Sequence, residues 1–230
     1  MNLEALKVKK GPLCLSADVT KSSELLRLAD ELGPSISILK THIDIIEDFS
    51  YTLIEKLLEL KLKHDFLLFE DRKFADIGST VQKQYAKGIY KIASFADIVN
   101  VHPLPGPGVI EGLIKENNQV KCLIVAEMSS KGNLIGPDYT LKSIEMAKAY
   151  RENVIGFISQ TPLAEGFLTL TPGIHLDIKG DSLGQSYRTP QEALNQGSDF
   201  IIVGRAIIDS KNRVEEAKRY CYSPDLCRAH

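Results

Sequence analysis

The chain has 230 residues, 43% of them hydrophobic and 25% charged, which suits one large α/β domain or two small ones and excludes a disordered chain. Twenty-eight basic against 30 acidic side chains leave a formal net charge of -2, so no broad field is available to hold nucleic acid or an anionic membrane, and any anionic ligand must be gripped by local groups. The four cysteines, Cys14, Cys122, Cys221 and Cys227, form no CxxC pair, and no apolar run approaches the ~20 residues of a spanning helix. Together these features point to a soluble, untargeted protein of a reduced, cytoplasmic compartment.

Short apolar, β-branched runs recur along the chain at 13–19, 36–43, 66–71, 95–102, 122–128, 154–159, 167–172 and 200–205. Between them, apolar residues recur at helical spacing over 23–32, 51–62, 78–92, 139–150 and 190–196. The link after the sixth run is too short for a full helix. No composition shift or linker divides the chain, so residues 1–230 read as one domain. Alternating strand and helix predicts a parallel sheet, because each crossover must return over a sheet face, and eight such units in this length predict a closed (β/α)8 TIM barrel. A doubly wound open sheet is the alternative; its two edge strands would need protection, yet all eight runs are apolar enough to be internal. The tail from Tyr220 to His230 carries no helix pattern.

Active sites in such barrels lie at the carboxyl ends of the strands. Polar residues collect there: Ser16 and Asp18, Lys40 and His42, Asp71 and Lys73, Asn100 and His102, then Ser129, Ser159 with Gln160, Thr171 with Pro172, and Gly204 with Arg205. Side chains two apart on a strand share a face, so Asp71 and Lys73 are expected at one mouth, with Asp18 and Lys40 from the two preceding strands making an alternating array of opposite charges. Each member would hold its neighbours ionised. Asp76 and Thr80 follow on the next helix, four apart and on one face. The competing view of Glu70, Asp71, Arg72 and Lys73 is a solvated charge cluster. Against it stand the apolar residues immediately before the cluster, 66–69, and the isolated Lys40 at the matching end of another apolar strand.

The run Asp71-Arg72-Lys73-Phe74-Ala75-Asp76-Ile77-Gly78 resembles the signature of the orotidine 5'-monophosphate (OMP) decarboxylase family. The resemblance extends in family order to Leu15-Ser16-Ala17-Asp18, Leu39-Lys40-Thr41-His42, Ala126-Glu127-Met128-Ser129-Ser130, Leu170-Thr171-Pro172-Gly173, Gly184-Gln185-Ser186-Tyr187 and Val203-Gly204-Arg205. It is nearest to the decarboxylase half of eukaryotic UMP synthase, and 230 residues leave no room for the phosphoribosyltransferase half.

The resemblance implies decarboxylation of OMP to UMP without metal or cofactor, through a carbanion-like centre. Lys73 matches the lysine that protonates the carbon, Asp71 the carboxylate beside the departing one, Lys40 the lysine paired with it, and Asp76 a carboxylate that enters the partner subunit's site. A homodimer is therefore implied, with Thr80 also crossing to the neighbour. Ser16, Asp18, His42, Ser129 and Gln185 match contacts to ribose or pyrimidine, and Ile77 and Pro172 are implied to bind substrate as well. Tyr187, Gly204 and Arg205 match the phosphate grip, a task that a phenol, a backbone amide and a guanidinium fork perform well. The stretch 179–185 reads as a mobile lid, and His64, His175 and His230 match nothing.

Three other readings remain open. Gly106-x-Gly108-x-x-x-Gly112, with Glu127 at the end of the next strand, superficially resembles a dinucleotide-binding turn, although Pro105 and Pro107 remove two amide donors. A sugar-phosphate lyase or aldolase could use the same charged pair on a similar barrel, usually with a metal. A barrel that only binds is the third.

Overall fold

The computed structural model describes residues 3–177, 184 and 186–221. Its eight strands are β1 (Leu13–Ser16), β2 (Ile38–Thr41), β3 (Leu67–Phe74), β4 (Ile98–Val101), β5 (Lys121–Val125), β6 (Val154–Ile158), β7 (Leu168–Thr171) and β8 (Phe200–Val203). All pair in parallel in chain order, and β8 returns to β1 with Leu13 opposite Ile201 and Leu15 opposite Val203. Closure removes both sheet edges, which is why every strand can be apolar on both faces. The expected barrel is therefore present, and the open sheet is excluded.

Alternation along each strand divides the apolar side chains into two layers. Cys14, Ile38, Phe69, Ile98, Leu123, Leu170 and Phe200 fill the barrel interior. Their sequence neighbours, such as Leu13, Leu39, Leu68, Val99 and Ile201, face the surrounding helices. Two residues beyond the interior set, on the same face, the composition changes: Ser16 follows Cys14, Lys40 follows Ile38, Asp71 follows Phe69 and Asn100 follows Ile98. An apolar floor thus becomes a polar cup within one side-chain period.

The helices are α1 (Leu3–Lys10), α2 (Ser22–Leu32), α3 (Tyr51–His64), α4 (Gly78–Ala86), α5 (Gly108–Glu116), α6 (Pro137–Ala149), α7 (Pro190–Asn195), α8 (Arg205–Ile208) and α9 (Arg213–Cys221). Amphipathicity places them: α2 buries Leu25, Leu28, Ala29 and Leu32 on one stripe. No helix lies between β6 and β7, as their spacing predicts. Helix α4 stops at Ala86, short of the expected 92, and α1, α5, α8 and α9 add to the five helical stretches that periodicity marks. At the start of α7, Thr189 Oγ1 accepts from the Glu192 amide (3.2 Å) while Glu192 accepts from the Thr189 amide (2.8 Å), a reciprocal cap. Tyr220 is a correction: it lies within α9, almost fully buried, and its hydroxyl accepts from the Leu176 amide at 3.2 Å. Residues 222–230, including Cys227, lie outside the described residues. None of the described helices is long and apolar enough to cross a membrane.

The glycines after β4 have a packing explanation. A Cβ on Gly112 would stand 2.3 Å from the Gly78 carbonyl oxygen, and one on Gly78 would stand 2.5 Å from that of Gly108. Helices α4 and α5 cross backbone to backbone, so Gly78 and Gly112 serve a helix contact.

Candidate active site

A cavity of about 260 Å³ opens at the carboxyl ends of the strands. Of the residues expected at the site, Ser16, Asp18, Lys40, His42, Asp71, Lys73, Ser129, Pro172, Tyr187, Gly204 and Arg205 line it. Asp76, Ile77 and Thr80 do not. Asp76 is exposed and accepts from the Ile77 amide at 2.7 Å, Ile77 is 64% exposed, and Thr80 lies in the first turn of α4. Gln185 lies outside the described residues, as does most of the expected lid.

Asp71 is the centre of the charged array. Its Oδ2 is 2.7 Å from Lys40 Nζ and 3.2 Å from His42 Nε2, and its Oδ1 is 2.7 Å from Lys73 Nζ. Lys40 also lies 3.4 Å from Asp18, whose carboxylate accepts from Ser16 Oγ at 2.9 Å. Burial opposes ionisation of Asp71, but the Lys40 ammonium, the hydrogen bond from His42 and the Lys73 ammonium outweigh it and hold the carboxyl well below the usual range. Burial likewise opposes the charge on Lys40, and Asp71 and Asp18 reverse that effect, leaving its pKa raised. Asp71 and Lys40 are thus locked in their ionised forms. With Glu70 and Asp71 both buried, this segment is no solvated cluster.

Lys73 reaches Asp71 by a different route from the regular alternation expected. Glu70 pairs with Val99 and Phe74 with Val101, so three residues of β3 face Asn100 alone. Within this bulge Lys73 adopts a left-handed backbone, φ 51°, a conformation that residues other than glycine and asparagine seldom accept. Its amide has left the ladder and donates to Asn100 Oδ1 at 2.7 Å. Asn100 Nδ2 donates in turn to Asp71 Oδ1 at 2.6 Å. Asn100 was legible as a polar strand end, and its position two residues beyond Ile98 could have marked it as facing the cavity.

Parity also removes some strand-end residues from the mouth. Thr41, Glu70, Ser159 and Thr171 alternate with interior residues and face outward: Thr171 bonds Ser198 at 2.6 Å, and Ser159 donates to the Thr161 carbonyl at 2.8 Å. His102 likewise lies off the cavity, its Nδ1 3.0 Å from the Tyr139 hydroxyl.

At the end of β8, Arg205 donates to the Tyr187 hydroxyl at 2.5 Å. His175, which sequence left unassigned, lines the cavity with its ring 5.5 Å from that of Tyr187. The loop after β5 meets the segment before Tyr187: the Ser186 amide donates to the Ser129 carbonyl at 3.2 Å and the Lys131 amide to that of Gly184 at 2.9 Å. Glu127, also unassigned, accepts from the Gln160 amide at 2.6 Å and ties the ends of β5 and β6 together. Among the described residues no group of three or more His, Cys, Asp or Glu side chains is placed to hold a metal ion.

A Lys-Asp-Lys array beside an arginine-tyrosine pair, at the mouth of a closed barrel, matches the resemblance read from the sequence. Residues 11–220 match the profile of the family described as Orotidine 5'-phosphate decarboxylase / HUMPS. The chain belongs to this family. It is 52% identical over 223 residues to uridine 5'-monophosphate synthase of Bos taurus, covering 95% of this chain and 46% of that protein. It is 51% identical over 226 residues to orotidine 5'-phosphate decarboxylase of Rhizopus oryzae, covering 95% and 85%. The chain therefore spans about half of the bovine relative and most of the fungal one. Among solved structures, orotidine 5'-monophosphate decarboxylase of Methanocaldococcus jannaschii complexed with inhibitor BMP superposes with a TM-score of 0.72 at 25% identity, covering 91% of this chain and 96% of that one. The decarboxylase of Pyrococcus horikoshii OT3 follows at 0.69 and 26%, covering 90% and 97%.

Proposed function

We propose that this protein decarboxylates OMP to UMP in pyrimidine biosynthesis, with Lys73 as the proton donor. The observation that carries the reading is the Lys40-Asp71-Lys73 array, its first two members buried, sharing one cavity with Arg205 and Tyr187. Breaking the bond between the ring carbon and its carboxylate releases carbon dioxide and leaves an electron pair on the carbon. The Lys73 ammonium stabilises that pair electrostatically and then delivers a proton to it; solvent returns the proton to the lysine amine afterwards. Asp71 orients the ammonium and Lys40 keeps Asp71 ionised. Ser16, Asp18, His42, Ser129 and Pro172 line the walls for ribose and base, Arg205 with Tyr187 and Gly204 receives the phosphate, and Gln185 is assigned to the base on sequence alone.

Asp76, Ile77 and Thr80 lie off their own cavity, near the start of α4. The exposure of Asp76 and Ile77, with Thr80 half-buried beside them, supports a homodimer in which they serve the neighbour's substrate.

Following the ultraviolet absorbance of OMP in the presence of a chelator tests the reaction. Turnover is expected, with Lys73→Ala reducing it by roughly 1,000-fold or more, the scale of losing both a proton donor and a fixed charge. Absence of turnover by the unmutated protein refutes the assignment. Turnover that the chelator abolishes favours the metal-using lyase reading.

A further inference from the structure

We infer that Asn100 is a positioning residue of the reaction, holding Asp71 and the backbone of Lys73 in the one arrangement that aims the ammonium at the reacting carbon. The inference rests on the reading of Lys73 as proton donor. Asn100 belongs to β4, is 1% exposed, and stands where the bulge of β3 leaves three residues against one. Its amide is used at both ends: Oδ1 accepts from the Lys73 amide (2.7 Å) and Nδ2 donates to Asp71 Oδ1 (2.6 Å).

Both contacts are chemically demanding. The left-handed turn takes the Lys73 amide out of the ladder, and a buried donor without a partner would open the bulge back toward regular strand. Regular strand would carry the Lys73 side chain to a different place along the barrel wall. On the other side, Asp71 Oδ1 receives Lys73 Nζ and Asn100 Nδ2, while Oδ2 receives Lys40 and faces His42, so each carboxylate oxygen has two partners and the carboxylate plane is set. Among the residues of comparable size only an amide both donates and accepts here. Leucine does neither, and an ionised aspartate only accepts.

A protonated aspartate, however, reproduces the asparagine pattern, with its O–H toward Asp71 and its carbonyl oxygen toward the Lys73 amide. This gives the role a signature. Facing position 100 are Asp71 and Lys73 from β3, with Lys40 of β2 and His42 just after it beyond Asp71, His102 two residues along its own segment, and Glu127 lining the cavity from the end of β5. Two carboxyls so close share a proton, which raises the range over which Asn100→Asp keeps it.

The test measures kcat and KM for OMP against pH for the unmutated protein, Asn100→Leu and Asn100→Asp, with thermal unfolding as the check on folding. Asn100→Leu is expected to lower kcat about 100-fold or more, as small misplacements of reacting groups do, with KM changed less than about threefold because Arg205 and Tyr187 are untouched. Asn100→Asp is expected to retain most kcat at acidic pH and to lose it as pH rises, on a limb that the unmutated protein lacks. A kcat within about threefold of the unmutated protein in Asn100→Leu, a loss confined to KM, or an unaltered pH profile in Asn100→Asp overturns the inference. If Asn100→Leu does not fold, the profile of Asn100→Asp decides alone. An unmutated protein that does not turn over OMP refutes the proposed reaction instead.

Discussion

Glu70 offers a direct test of how burial and hydrogen bonding compete in this barrel. It faces outward from β3, fully buried, and accepts from Thr41 Oγ1 at 2.7 Å and from the Ile43 amide at 3.0 Å. Burial pushes its carboxyl up to about 8, more strongly than those hydrogen bonds lower it, with Asp44 adding to the rise and Lys40 opposing it. A carboxyl whose pKa is raised by folding holds a proton that the unfolded chain gives up above its ordinary range. Its contribution is therefore fully present at acid pH and is lost as pH climbs toward about 8, at about 1.4 kcal/mol per pH unit.

The other shifted groups leave the window near neutrality clear. Burial lowers the pKa of His102, which penalises folding only below the ordinary histidine range; Asp71 titrates far below the window and Lys40 far above it. Between about pH 6.5 and about pH 8 the unmutated protein should lose roughly 2 kcal/mol of stability. Glu70→Gln keeps an acceptor for Ile43 and a donor toward Thr41 without a titrating proton, so its stability should be flat over the same interval. Urea unfolding midpoints at several pH values across the window measure both slopes. Parallel slopes would refute the reasoning and mean that the two hydrogen bonds keep Glu70 ionised despite its burial.

Two further predictions concern the site. Arg205→Ala should remove a charge-assisted contact worth about 1.5–3 kcal/mol, lowering kcat/KM for OMP roughly 10- to 150-fold while leaving the phosphate-free nucleoside nearly unaffected; equal losses on both substrates would show that Arg205 does not hold phosphate. If Asp76 serves the neighbouring site, two inert proteins, Lys73→Ala and Asp76→Ala, should recover about a quarter of the unmutated activity when their subunits are exchanged in equal amounts, because half the dimers then carry one intact site. Failure to recover under conditions where subunits demonstrably exchange means that Asp76 acts within its own chain.

The barrel and much of its mouth are legible in the sequence because both depend on periodic patterns. Eight runs apolar on both faces cannot lie at a sheet edge, and the change from Cys14 to Ser16, Ile38 to Lys40 and Phe69 to Asp71 occurs at constant parity, which puts the polar set at one end of the interior. Local pattern also predicted the missing helix between β6 and β7. The glycines of α5 resemble a nucleotide turn in sequence, and only the crossing of Gly112 against Gly78 explains the last of them. The outward turn of Thr41, Glu70, Ser159 and Thr171 is a matter of register, which strand-end composition does not reveal. The motif around Asp71 and Lys73 belongs to both accounts. Its residue types and order were readable in sequence, whereas the bulge, the left-handed Lys73 and the amide of Asn100 that supports it depend on a neighbouring strand 27 residues further on. Chemistry was written locally, but the geometry that aims it comes from tertiary pairing, because a hydrogen bond between strands exists only once the barrel has closed around it.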